Sequence, residues 1–184
     1  GGTLTGRGTY SLEVTQLAAG QVLASTPFAA TTTPSGSGSL TFRFGTIAGA
    51  AFTEDLSHTP ATVTIPSGST LVDVATAINA ANIGVSAYVA SGTDGAHLMF
   101  KGKEGAASGF VIEATETVGE EGLAALAWTP ATAPAQLLST ARDAAFKLDG
   151  LAMTSATNAI TDLVPGLSLN LTGTNIGAPT TIRF

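Results

Sequence analysis

The chain contains no cysteine, which excludes disulfides, thiolate metal ligands and cysteine nucleophiles. Its only histidines are His58 and His97. Charge is sparse as well: 11% of residues are charged, with seven Lys and Arg against thirteen Asp and Glu, for a net charge of −6. No basic cluster occurs, so neither nucleic acid nor an anionic membrane surface is an expected partner. Although 44% of residues are hydrophobic, no apolar run approaches the ~20 residues needed to cross a bilayer. No secretory signal opens the chain. The beginning at Gly1-Gly2-Thr3 and the end at Phe184 read as the cut ends of a longer protein. No internal repeat at a solenoid period is present.

What remains is rich in alanine, threonine, glycine and alternating aliphatics, the composition of a β-rich protein with many turns. At 184 residues it has room for one large domain or two small ones. The organising stretch is Ala144 to Leu171. Phe146 and Leu148 alternate with Lys147, the period of a half-buried strand. Asp149-Gly150 follows, a dipeptide suited to the positive φ angles of a two-residue hairpin turn. Leu151 and Met153 form the return strand, and Pro165-Gly166 leads into Leu167-Ser168-Leu169-Asn170-Leu171. The natural partner of this sheet lies at the other end of the chain, where Tyr10, Leu12 and Val14 alternate up to Leu17.

The middle therefore reads as an insertion. Ser25 to Ser39 is rich in Thr, Pro, Gly and Ser, and Thr129 to Pro134 is a Pro/Ala linker, so the chain is expected to cross near Ser35–Gly38 and again near 129–134. Leu40, Phe42 and Phe44 mark an inner strand, Thr46 to Pro60 reads as irregular, and Thr62 to Ile65 is a short strand. Thr70 and Asp73 form a capping-box pattern. Leu71, Val74, Ala75 and Ile78 recur at helical spacing, predicting a helix over 70–81 that ends at Asn82-Ile83-Gly84. Val85–Val89, a turn at Asp94-Gly95, and Ala96–Phe100 form a hairpin, and Phe110-Val111-Ile112 adds a strand. Gly119 to Trp128 reads as a short helix burying Leu123, Leu126 and Trp128. The expected fold is mainly β with an α+β insert: a discontinuous antiparallel β domain over 1–38 plus 136–184, and a second β-rich domain with one helix over 39–135.

Phe146 to Thr174 resembles the signature of the flagellar filament cap family (hook-associated protein 2, the FliD family). The matching features are the Leu-Asp-Gly hairpin, the Ser155-Ala156-Thr157-Asn158 loop, Ile-Thr-Asp and the Pro-Gly-led strand. Gly8 to Ser25 resembles the family's N-terminal segment, and Pro66 to Ala87 resembles its insert. The resemblance implies the head of an extracellular cap at the flagellum tip, whose subunits form a ring and promote flagellin polymerisation without covalent chemistry. It also implies export as an unfolded chain, which suits the absence of cysteine. Flagellin and other cap subunits are the implied partners, and adhesion to host mucin or surface glycans is a further role known in the family. The helical leg segments of the family are missing here, with no heptad-patterned terminus. The chain alone is thus expected to be monomeric or only weakly associated, against which the mass of a tight ring in light scattering would count.

No catalytic, cofactor or metal site emerges, and the chain is read as no enzyme. His58 and His97 read as surface residues: no nucleophile elbow surrounds any serine with which His97 and Asp94 would act. Glu113, Glu116, Glu120 and Glu121 lack the alternate spacing around a glycine of a calcium loop. Ser35-Gly36-Ser37-Gly38 is linker composition and too short for a dinucleotide fingerprint. Asn170-Leu171-Thr172 fits the glycosylation sequon but carries little weight in the bacterium that the resemblance implies. Tyr10, Phe42, Phe44, Tyr88, Phe100, Phe110 and Phe146 fall on strand periods and read as core rather than a stacking platform. The alternative function is a β-rich secreted adhesin or carbohydrate-binding module, which an exposed shelf of aromatics would favour.

Overall fold

A computed structural model describes residues 8–183. The expectations for Gly1-Gly2-Thr3 and Phe184 lie outside the described residues. In chain order the strands are β1 (Thr9–Gln16), β2 (Gly20–Ala24), β3 (Gly38–Ala48), β4 (Ala51–Glu54), β5 (Ala61–Ile65), β6 (Ser86–Gly92) and β7 (Gly95–Glu104). They continue with β8 (Gly109–Glu116), β9 (Leu137–Ser139), β10 (Ala144–Leu148), β11 (Leu151–Ser155), β12 (Ala159–Val164), β13 (Leu167–Asn170) and β14 (Thr180–Arg183). One helix, α1 (Leu71–Ala80), lies between β5 and β6. The chain is mainly β, as its composition and alternation predict.

Two compact units share the chain, one formed by residues up to Ala19 and from Arg142, the other by Gly20–Ala141. The outer unit holds a four-stranded antiparallel sheet in the order β11-β10-β1-β14, and β12 and β13 form a separate two-stranded hairpin. Asp149 (φ 50) and Gly150 (φ 83) make the β10–β11 turn with two positive φ angles. This is the backbone that a two-residue turn needs to match strand twist, and it sets Leu148 opposite Leu151. The core of this unit gathers Leu12, Val14, Ala144, Phe146, Ile160 and Leu171.

The inner unit has two sheets. One runs β6-β7-β2-β9; in the other, β3 is paired by β5 and β4 and also by β8. Phe42, Phe100 and Phe110, each at most 1% exposed, meet between them as tilted rings with centroids 6.2 and 6.1 Å from that of Phe42. Such tilted pairs are a favoured aromatic geometry, and each buried ring contributes about 1.5–3 kcal/mol of apolar burial. Helix α1 starts at a full capping box: the Asp73 N–H donates to Thr70 Oγ1 at 3.3 Å, and the Thr70 N–H donates to Asp73 Oδ2 at 2.9 Å. Leu71, Val74, Ala75 and Ile78 are its buried face. Asn82 (φ 48) and Gly84 (φ 87) then turn the chain away.

Three features depart from the sequence reading. The units do not divide at 38/39 and 135/136. Segment Gly20–Ala24, read as part of the outer domain, pairs with β7 and β9 inside the inner sheet. The reason lies in Gln21, which is 0% exposed. Its carboxamide accepts from the Phe110 N–H at 3.0 Å and donates to the Phe110 carbonyl at 2.9 Å, completing the outer hydrogen-bonding edge of β8 as a strand would. Second, Thr46–Pro60 is not irregular throughout. β3 continues to Ala48 and folds back at Gly49 (φ 59) into β4. Of the predicted 119–128 helix, one 3-10 turn forms at Leu123–Leu126, and it buries both leucines as expected.

Candidate functional site

The sequence offered one combination with the look of a relay, His97 with Asp94 and a serine, and the structure does bring these together. His97 Nε2 lies 2.6 Å from Asp94 Oδ1, across the tight β6–β7 turn. The serine that approaches is Ser25, but by its backbone: His97 Nδ1 is 2.6 Å from the Ser25 carbonyl oxygen. The Ser25 hydroxyl faces elsewhere, donating to the Thr26 carbonyl and accepting from the Leu98 N–H. Both ring nitrogens therefore face acceptors, and only the doubly protonated imidazolium donates to both. The Asp94 carboxylate, and after it the Ser25 carbonyl, hold the His97 pKa above its ordinary value, while His97 holds Asp94 below its own. Chemically this is a clamp, with no nucleophile poised on the ring.

His58 is not an isolated surface residue. It stacks on Phe44 with ring centroids 4.1 Å apart and 9° between planes. The two line a cleft of about 310 Å³ with Ala61, Asn82, Ile83, Gly84, Lys103 and Ser108. Sequence inspection missed this group because it comes from four separate segments. One signal was legible: Lys101 and Lys103 alternate along β7, which sends both to the same face.

The acidic run disperses into separate contacts. Glu113 pairs with Arg43 at 3.0 Å, and Arg43 also reaches Glu54 at 3.3 Å. Glu116 accepts from the Gly122 N–H. Glu120 accepts from the Ser67 and Ser37 hydroxyls, which lower its pKa in that order, and Glu121 accepts from the Gly119 N–H, which lowers its own. Among the described residues no three His, Asp or Glu side chains converge as a metal would require. Asn170 is exposed at the end of β13. Phe42, Phe44, Phe100, Phe110 and Phe146 are buried, Tyr10 is half-buried, and Tyr88 is the one exposed aromatic among the described residues. Lys101 Nζ stands 5.6 Å from the Tyr88 ring centroid.

The architecture defines a class: a discontinuous antiparallel β unit that carries a second, β-rich unit with a single helix as its insert. Comparison with known proteins specifies it. Residues 141–184 match the family model described as the flagellar hook-associated protein 2 C-terminus, and residues 39–104 match the flagellin hook IN motif. The A-type flagellar hook-associated protein 2 of Pseudomonas aeruginosa is 28% identical over 95% of the chain, which spans only 38% of that relative's length. A crystal structure of FliD from Pseudomonas aeruginosa superposes with a TM-score of 0.77 at 25% identity, covering 100% of this chain and 81% of that one. The flagellar cap protein FliD from Bdellovibrio bacteriovorus gives 0.68 at 25% identity, with 98% and 94% covered. The D1-D2-D3 domains of the Escherichia coli cap protein share the fold, with a TM-score of 0.77 at 24% identity over 95% of this chain and 50% of that one. Over nearly its whole length the chain is thus similar to flagellar hook-associated protein 2.

Proposed function

We propose that this chain is the head of a flagellar filament cap, placed outside the cell at the distal tip, where the whole protein promotes flagellin polymerisation. The observation that carries the reading is likeness over both units at once. The hook-associated protein 2 segment falls almost wholly in the outer unit, the hook IN segment falls in the inner one, and the whole of this chain superposes on 81% of a solved FliD structure. Flagellin and further cap subunits are the proposed partners, and the role is structural rather than catalytic. A cap that must repeatedly release and rebind incoming subunits is served by contacts without deeply desolvated ion pairs. The sparse charge of the chain, 11% of residues, is in keeping with that requirement. The adhesin alternative gains no support: the five strand-period phenylalanines are core, and Tyr88, which departs from the core reading, is a single exposed ring rather than a shelf. The test is deletion of the parent gene. Short or absent filaments, with unpolymerised flagellin in the medium and recovery on restoring the gene, are expected. Filaments of normal length would overturn the proposal.

A further inference from the structure

The cleft beneath His58 adjoins a second, of about 340 Å³, with which it shares Asn82, Gly84 and Lys103 and which adds Lys101. No carboxylate lines either cleft, in a chain where acids outnumber Lys and Arg thirteen to seven. Arg43, the remaining Lys or Arg of the inner unit, is held by Glu54 and Glu113, whereas Lys101 and Lys103 take part in none of the ion pairs among the described residues. The Lys103 stem lies across Gly84, where a Cβ would come within 3.2 Å of Lys103 Cε, so the glycine leaves room for the lysine to cross the cleft. The Asn82 carboxamide, the Ser108 hydroxyl and the His58 ring nitrogens make no hydrogen bonds among the described residues. Phe44, Ala61 and Ile83 give the cleft an apolar side.

An apolar wall with a few convergent, unsatisfied polar groups is the usual make-up of a small-molecule site, and a volume near 300 Å³ is at the small end of such sites. Here every polar side chain can donate a hydrogen bond, and the only formal charge is positive. The ligand that this complements is an anion whose oxygens accept charge-assisted hydrogen bonds. We propose that the cleft binds a small carboxylate, with Lys103 as its charge partner and Asn82 and Ser108 as donors. The inference stands on the cleft alone and does not depend on the capping role.

The test is a titration of the uniformly 15N-labelled 184-residue chain with two charged and neutral pairs, succinate against succinamide and glucuronate against glucose. At least one acid is expected to shift the amide resonances of Gly84, Lys103 and Ser108 saturably, while its neutral counterpart does not. Which acid binds more tightly tells whether ligand hydroxyls are also read. Lys103→Gln is expected to weaken binding by about tenfold, the loss of one charge-assisted contact. Lys147→Gln, on an exposed position of β10 in the outer unit, should leave binding unchanged. The proposal is overturned if neither acid shifts these resonances, if the neutral partners shift them equally, or if the two lysine variants behave alike.

Discussion

His97 shows how one side chain couples the fold to pH. Its ordinary pKa is 6.5 and that of Asp94 is 3.8; the fold raises the first and lowers the second. A raised histidine stabilises the native state fully below its unfolded value and loses that contribution as pH rises through the folded value. A lowered aspartate contributes above its unfolded value and loses it as pH falls through the folded one. The clamp is therefore at full strength between the two ordinary values and weakens above the histidine's. Asp94 is largely solvent-exposed, so screening makes the effect small. The measurement is the thermal midpoint of the chain and of His97→Gln. The advantage of the parent is expected to shrink from about pH 6 to about pH 9, and a constant difference would refute the imidazolium assignment. The sequence placed His97 beside a turn with Asp94 three residues before it. What it could not give was the acceptor from Ser25, seventy-two positions away, which distinguishes a doubly bonded clamp from a surface histidine.

Among the elements, side-chain amides repeatedly stand in for missing strands. Asn79, on α1, accepts from the Ala87 N–H at 2.8 Å and donates to its carbonyl at 2.7 Å, fastening the helix to β6. In the outer unit Asn158 does the same for Ala18, accepting at 2.8 Å and donating at 3.0 Å. Ala18 is 6% exposed, so losing this partner would leave two buried backbone groups unsatisfied, a cost of about 1–3 kcal/mol. Asn158→Ala is expected to lower the outer unit's urea midpoint accordingly. Trp128, the single tryptophan, is buried in the inner unit, and its fluorescence transition should stay in place. A shift of that transition as large as the outer unit's would contradict the local role. These devices mark the limit of legibility. The α1 boundaries, the Asp149-Gly150 turn and the strand alternation rest on neighbours in sequence and were readable. A carboxamide that completes a distant strand leaves no local pattern, which is why Asn79 and Gln21 passed unnoticed.

For the whole molecule, the division into units depends on where β2 belongs. β2 pairs with β7 on one side and with β9 on the other, with Leu23 opposite both Phe100 and Leu137. It is thus an interior strand, and Leu23 is 1% exposed. A piece covering 39–135, the boundaries that composition favours, would lack β2 and β9. It would bare one edge of β7, remove Leu23 from the core and strand the Phe110 backbone groups that Gln21 satisfies. A piece covering 20–141 keeps all of these, and Val22 opposite Ser139 makes its two ends neighbours in one sheet, which is the arrangement an autonomous domain needs. We predict that 20–141 folds alone, with a cooperative urea transition in Trp128 fluorescence, and that 39–135 shows none. The two pieces hold the same helix, the same aromatic cluster and the same linker residues 129–134. A difference between them would come from the flanking segments 20–38 and 136–141, which include β2 and β9 and pair with the inner unit, and equal folding would return the boundary to the Thr/Pro/Gly/Ser-rich segment before β3.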